Sequence, residues 1–287
     1  MALLQEAVTI ASGFAMAWRK MAVVLGNEGT ERPRQVAAME AAYRHRGRLT
    51  EMERLLTEGY YYTRGPKQDR DKAIAAYDAA ALIDSQSTAA LNNAAVVYGQ
   101  KREFARAEER YRQVTRLPRS FGGAFTNLMQ MQAILGHISG LDSTRKAFYA
   151  KLPNSADLWE ADWYWAFGTG NLHAADAISR TMHAKARTLR QATRSANGAS
   201  AIAELRGQPR ESLRWITLSD EASLKAAPSP VNQLQPYLDS AYILSGTLER
   251  PAEARAAWSR ANSPGCRSAS CRRRSGPVST CRDSRPR

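Results

Sequence analysis

The segments DKAIAAYDAA (71–80) and ARAEERYRQV (105–114) lie 34 residues apart and match at three positions: Ala73 with Ala107, Tyr77 with Tyr111, and Ala80 with Val114. The same spacing carries the first position on to Leu141 and Ala175 and the third to Phe148 and Met182. Offsets of four and seven fall on one face of an α-helix, which turns once in about 3.6 residues. A fixed 34-residue period means one helix–turn–helix unit per repeat. Neither helix of such a unit can bury its apolar stripe alone, so stacked units share a continuous core. The sequence therefore predicts an all-α chain, a right-handed α-solenoid of about five to six helix pairs.

Composition agrees with that architecture. The 287 residues are 44% hydrophobic, with many alanines, which suit closely packed helices. The most apolar stretch, Val8 to Trp18, is too short to span a bilayer and runs into Arg19 and Lys20, so no membrane span is expected. The N-terminus lacks a basic region and a cleavage site of the secretory type. The net charge is +14, but residues 264–287 hold seven Arg and one Asp, which leaves +8 for the rest. All three cysteines, Cys266, Cys271 and Cys281, lie in that tail, so neither a disulfide framework nor a cysteine metal site holds the body together.

Three regions follow from the period. Residues 1–185 read as a repeat array that begins in mid-repeat. Its first helix, LLQEAVTI (3–10), looks like the second helix of a unit, with only Gln5, Glu6 and Thr9 as polar cover, which points to a truncated array rather than a cap. Pro33 suits the first turn of the helix within 31–48. Thr50-Glu51-Met52-Glu53 is a capping box that opens the next helix. Paired helices follow over 88–117, 122–152 and 156–185. In these, Arg145 stands where an aromatic residue is expected, and Asp162 and Trp163 stand where Leu and a small residue are expected. Residues 186–263 read as divergent helical repeats, because Gly207 comes 37 residues after Gly170. Within them 189–205 and 210–218 form a pair, 219–236 is irregular, 237–248 is helical, and Ala254, Trp258 and Ala261 resume the second-helix offsets. Residues 264–287 hold one large aliphatic residue, Val278, and read as a disordered basic tail that resembles an out-of-frame translation.

The unit pattern is that of the tetratricopeptide (TPR) repeat. Over about residues 1–180 the likeness is more specific. FAMAWRKMAVVLGNEG (14–29), AAYRHRGRLTEMERLLTEGYYYTRG (41–65) and DRDKAIAAYDAA (69–80) resemble the C-terminal TPR region of bacterial serine/threonine protein kinases and related regulators. The resemblance implies a regulatory or sensor region. It does not imply kinase activity, because the chain has no Gly-rich phosphate loop, no His-Arg-Asp run and no Asp-Phe-Gly. It also implies either of two compartments: the cytoplasm for the chain as it stands, or the outside of the membrane if the repeats belong to a membrane-anchored kinase.

No catalytic constellation emerges. His45, His137, His173 and His183 have no ligand spacing and read as surface or loop residues, so no metal and no cofactor is expected. Ser143-Thr144-Arg145-Lys146 matches S-x-x-K without its companion motifs. Basic residues alternate with acidic ones, as in KREFARAEERYRQ (101–113), which reads as a solvated helix face. A helical-repeat nucleic-acid-binding protein is therefore the second alternative.

The first alternative is a protein or peptide partner in the concave groove. In TPR proteins the first helices line that groove, and the family's inward offsets fall at Asn92, Val96, Gln100, Thr126, Gln130, Ile134, Glu160, Tyr164 and Phe167. Trp159 and Trp163 read as packing residues. Asn93 and Asn127 sit where a carboxylate-clamp Asn occurs, but Gly123 and Glu160 occupy positions where Lys or Arg is needed, so no clamp for chaperone tails is expected.

Overall fold

In the computed structural model of the chain, residues 1–28, 31–226, 236–239, 241–244 and 250–261 are described. They fall into two compact units, Met1–Ser229 and Pro230–Arg287. The first contains α1 (Ala2–Ile10), α2 (Ala15–Glu28), α3 (Arg32–Arg44), α4 (Glu51–Arg64), α5 (Arg70–Ile83), α6 (Thr88–Gln100) and α7 (Phe104–Arg116). It continues with α8 (Gly122–Leu135), α9 (Ile138–Lys151), α10 (Leu158–Gly168), α11 (Leu172–Ala184), α12 (Leu189–Leu205) and α13 (Pro209–Ala226). In the second unit α14 (Pro251–Ala261) packs Ala254 and Ala257 on Ala241 and Leu244. No strand occurs among the described residues.

From α2 onward the first unit is six antiparallel helix pairs in series, each packed on the next. The 34-residue register is the core. Ala73, Ala107, Leu141 and Ala175 have no solvent exposure, nor do Ala80, Val114 and Phe148. Tyr77 and Tyr111 fill the fourth position, 1% and 4% exposed. Their burial pushes both phenols up, Tyr111 to about 12. The local signals act as expected. Thr50 accepts from the Glu53 N–H at 3.4 Å while its own N–H donates to the Glu53 carboxylate at 3.1 Å. Pro33 lies in the first turn of α3. Gly136 ends α8 with φ +70°, the left-handed conformation that glycine adopts without strain. One repeat earlier the same turn position is Arg102, with φ +62°.

Two of the three misfit residues of the sequence explain one another. Arg145 on α9 reaches Asp162 on α10, with Nε 2.8 Å from Oδ1, and the Tyr149 hydroxyl donates to Oδ2 of the same carboxylate at 2.7 Å. An ion pair between units replaces the usual aromatic-on-aliphatic contact.

Three expectations need correction. The segment 219–226 is not irregular, because α13 runs through Ala226 and buries Ser219, Asp220 and Ala222. Residues 227–235 and the tail 264–287 lie outside the described residues. Trp258 is 56% exposed, and Ala257 takes the inward place instead. His183 is more than a surface group, whereas His137 is exposed as expected. His137 Nδ1 lies 2.9 Å from Oε2 of buried Glu108, and His183 packs edge-on against Trp215.

One substitution made at two glycines separates packing from helix propensity. Gly59 on α4 faces the ring of Tyr77, and a Cβ there comes within 2.6 Å of it. Gly99 on α6 has nothing within 4 Å. Gly99→Ala is expected to gain about 1 kcal/mol from helix propensity. Gly59→Ala is expected to lose on the order of 1–3 kcal/mol, because a fully buried aromatic ring has nowhere to move. Urea unfolding of both variants checks the opposite signs.

Candidate functional site

Three successive first helices wall one cavity of about 330 Å³. Asn127 and Gln130 come from α8, Trp159, Glu160, Trp163 and Tyr164 from α10, and Arg194, Asn197, Gly198 and Ala201 from α12. The 34-residue register selects them. Gln130, Tyr164 and Gly198 are successive repeats of one position, and Thr126, Glu160 and Arg194 of another. In the first series the side chain is large on α8 and α10 and absent on α12. A Cβ at Gly198 would lie 3.1 Å from Trp163 Nε1 and 2.7 Å from Ser179 Oγ, so the glycine lets α12 close on α10 and α11. The buried Trp163 indole N–H and Ser179 hydroxyl have no partner there.

The second series forms the charged part of the site. Arg194 Nη1 donates to both Glu160 oxygens, at 2.7 and 2.6 Å. Glu160 is 8% exposed. Burial pushes its carboxyl up even though Arg194 works in the opposite direction. Burial also works to lower Arg194, but the hydrogen bonds and charge of Glu160 outweigh it and the guanidinium is raised. The pair is near neutral as a unit, so the cavity presents aromatic faces and side-chain amides rather than net charge. Burial pushes the Tyr164 phenol up to about 12, which keeps its hydroxyl protonated at neutral pH.

The structure brings together three of the sequence-derived groove residues: Gln130, Glu160 and Tyr164. Thr126 is 1% exposed and donates its hydroxyl to the Gly123 carbonyl, beneath the surface. Phe167 stacks on Trp163 with ring centroids 5.0 Å apart and packs into the core between α10 and α12. Val96 packs on the core around α4–α7, and Asn92 is half-buried beside Asn93, 3.4 Å away. Ile134 is 50% exposed and Gln100 exposed, both away from this cavity.

Trp159 and Trp163, read from sequence as packing residues, both line the cavity. A basic residue enters the groove from a position other than the two clamp positions. Arg194 comes from the unit where the period seemed to loosen, and Glu160 already holds it. Adding 34 once more to Glu160 and Tyr164 finds Arg194 and Gly198, which is the signal the sequence reading passed over. The S-x-x-K match carries no chemistry: Ser143 donates to the Ser139 carbonyl and Lys146 pairs with Asp142. No cluster of metal-ligating side chains exists among the described residues. Nor is any helix among them long and apolar enough to cross a membrane.

No protein-family model and no curated protein matches the sequence. Solved structures do match the fold. A tetratricopeptide repeat protein from Parabacteroides merdae superposes with TM-score 0.56 at 12% identity, over 86% of this chain and 92% of that one. A chain of the APC/C hetero-tetramer Cut9–Hcn1 superposes with TM-score 0.58 at 14% identity, over 91% of this chain and 51% of that one. At these identities the likeness is one of fold. The chain is an all-α solenoid of the TPR type.

The Glu160–Arg194 pair gives a pH-dependent signature. The Glu160 carboxyl is raised in the folded chain, so the folded state holds this proton more tightly than the unfolded state does. The stabilisation is present below the ordinary glutamate range and is lost as pH rises through the folded value. Urea midpoints measured from pH 4 upward are expected to show that loss. Glu160→Gln is expected to remove it. Arg194→Met is expected to deepen it, because an unpaired buried carboxylate resists ionisation more strongly. A wild-type profile unchanged by either substitution contradicts the assignment.

Proposed function

We propose that the chain is a protein-interaction module that takes an extended peptide across its first helices, centred on the cavity between α8, α10 and α12. One observation carries the proposal: side chains of three successive repeats converge on one concavity, offering aromatic surface beside amides while the local charges neutralise each other. Each Asn or Gln side chain offers one acceptor and two donors, which complements a peptide unit of extended backbone. Asn127, Gln130 and Asn197 supply such groups from two helices. Trp159 and Tyr164 offer the large, rigid apolar surface on which a peptide side chain settles at low conformational cost.

Within this reading the sequence-derived groove residues take different parts. Gln130 and Tyr164 touch the peptide, and Asn92, Val96, Gln100 and Ile134 extend its track along the first helices. Thr126, Glu160 and Phe167 support the wall from beneath. From the resemblance of residues 1–180 we further infer a regulatory role within a larger bacterial signalling protein of the kinase-associated kind. A binding role with no reaction is the corresponding biochemical class.

Peptides selected from a display library and titrated by fluorescence polarisation test the site. Trp159→Ala is expected to weaken binding at least about ten-fold, roughly 1.4 kcal/mol, as truncating a central aromatic contact does. Leu82→Ala, at an exposed position on the second helix α5, is expected to leave it unchanged. Selected peptides that bind Trp159→Ala and Gln130→Ala as tightly as the parent chain would place the contact elsewhere. Selection of nucleic acid instead, with steep salt dependence, would favour the second alternative.

A further inference from the structure

The other end of the array holds a concavity of different chemistry. Arg32, Arg64 and Arg70 line a space of about 480 Å³ together with Gln35, Gln68 and Gln100. They come from the start of α3, the end of α4 and the start of α5, three successive helices. None of the described residues lining it is acidic.

The carboxylates nearest in sequence are turned to other partners. Asp69 caps α5 by accepting the Lys72 N–H at 3.0 Å and pairs with Lys72 Nζ at 3.3 Å. Asp71 pairs with Lys101, and Glu31 with Arg34. Arg64 and Arg70 show no ion pair among the described residues.

One arginine is held in place. Arg32 Nη1 donates to Gln35 Oε1 at 2.8 Å and Nη2 to the Arg64 carbonyl at 2.5 Å. Gln35 is only 5% exposed, and its amide donates in turn to the Tyr60 hydroxyl at 3.1 Å. The Tyr60 hydroxyl donates to the Ala22 carbonyl at 3.3 Å. Gly26 makes this relay possible, since a Cβ there would come 2.3 Å from the Tyr60 oxygen and 2.5 Å from Gln35 Nε2. The relay spans α2, α3 and α4 and fixes one guanidinium, whose remaining N–H groups stay available. A guanidinium ordered beforehand loses little freedom when a ligand arrives. Arg32 also begins α3, whose first turn has no side-chain cap and whose dipole favours negative charge.

We propose that this concavity is an oxyanion site of the phosphate class, with Arg32 as its preset element and Arg64 and Arg70 as mobile donors that close on the anion. Three guanidiniums facing one space repel each other, and a polyoxygen anion removes that repulsion while accepting forked hydrogen bonds. The site shares no lining residue with the cavity between α8, α10 and α12, and only Gln100 also belongs to the peptide track proposed above.

Isothermal titration of the full chain at low salt, in a buffer free of phosphate, tests it with inorganic phosphate and with N-acetyl-phosphoserine amide. Saturable binding is expected. The Arg64→Gln/Arg70→Gln double variant is expected to weaken it at least ten-fold, and Arg116→Gln, an exposed arginine elsewhere, to leave it unchanged. Because Arg64 and Arg70 are exposed, an unaltered thermal melt is expected to confirm that the double variant folds. Tighter binding of phosphoserine assigns the site to a phosphorylated side chain, and equal binding assigns it to the free anion. Absence of saturable heat from both ligands overturns the proposal, as does an equal loss in Arg116→Gln.

Discussion

The fold depends on how closely the second helices approach the first. Ala73 and Ala107 are fully buried, and the tyrosine four residues after each is buried beside it. Tyr77 lies so near α4 that only glycine fits at position 59. This small-plus-aromatic pairing sets the distance between helices and so the rise per repeat. Every later element inherits it, including the spacing at which first-helix side chains from neighbouring units can meet. When Leu141 replaces alanine, Phe148 and Phe125 stack at 4.8 Å to fill the same volume.

Polar residues couple the units where apolar packing does not. Asp78 on α5 meets Arg110 on α7 at 2.8 Å and accepts from the Tyr98 hydroxyl. Arg145 and Asp162 join α9 to α10, and Glu160 and Arg194 join α10 to α12. Each pair bridges successive repeats, so each fixes the angle of one unit on the next as well as its distance. Their energetic worth differs with burial. The Arg145–Asp162 pair is about one-third exposed on each side, and pairs of that kind contribute little individually. The Glu160 carboxylate is nearly dry, and removing its partner is the more damaging change.

The repeat was legible because its core positions recur at a fixed interval and periodicity needs no knowledge of contacts. Helix termini were legible for the same local reason: Thr50 and Glu53 cap each other within four residues. What stayed hidden was long-range complementarity. Arg145 and Asp162 looked like two defects because each violates the pattern of its own helix, and only the fold brings them within 2.8 Å. The end of α13 was missed because Ser219 and Asp220 are polar and read as loop, yet both are buried. The arginine concavity escaped altogether, since Arg32, Arg64 and Arg70 share no motif and no period.

The apparent loss of period near residue 186 has a narrower cause. First-helix positions keep the 34-residue spacing through Arg194 and Gly198. The turn glycine moves to a spacing of 37, from Gly170 to Gly207, and buried second-helix positions move with it, as Ser212 takes the place of Ala175. Three residues have therefore been added between 198 and 207. That is close to one helical turn, so the insertion lengthens α12 without rotating its inward face. The Ser212 hydroxyl then meets Ser200 at 2.8 Å, a polar contact where the earlier units hold alanine against aromatic rings. The cavity wall upstream of the insertion is untouched. Arg194 remains opposite Glu160 and Gly198 opposite Trp163 because the added turn lies beyond them. The proposed peptide site thus sits at the last place where first helices follow the array's original register.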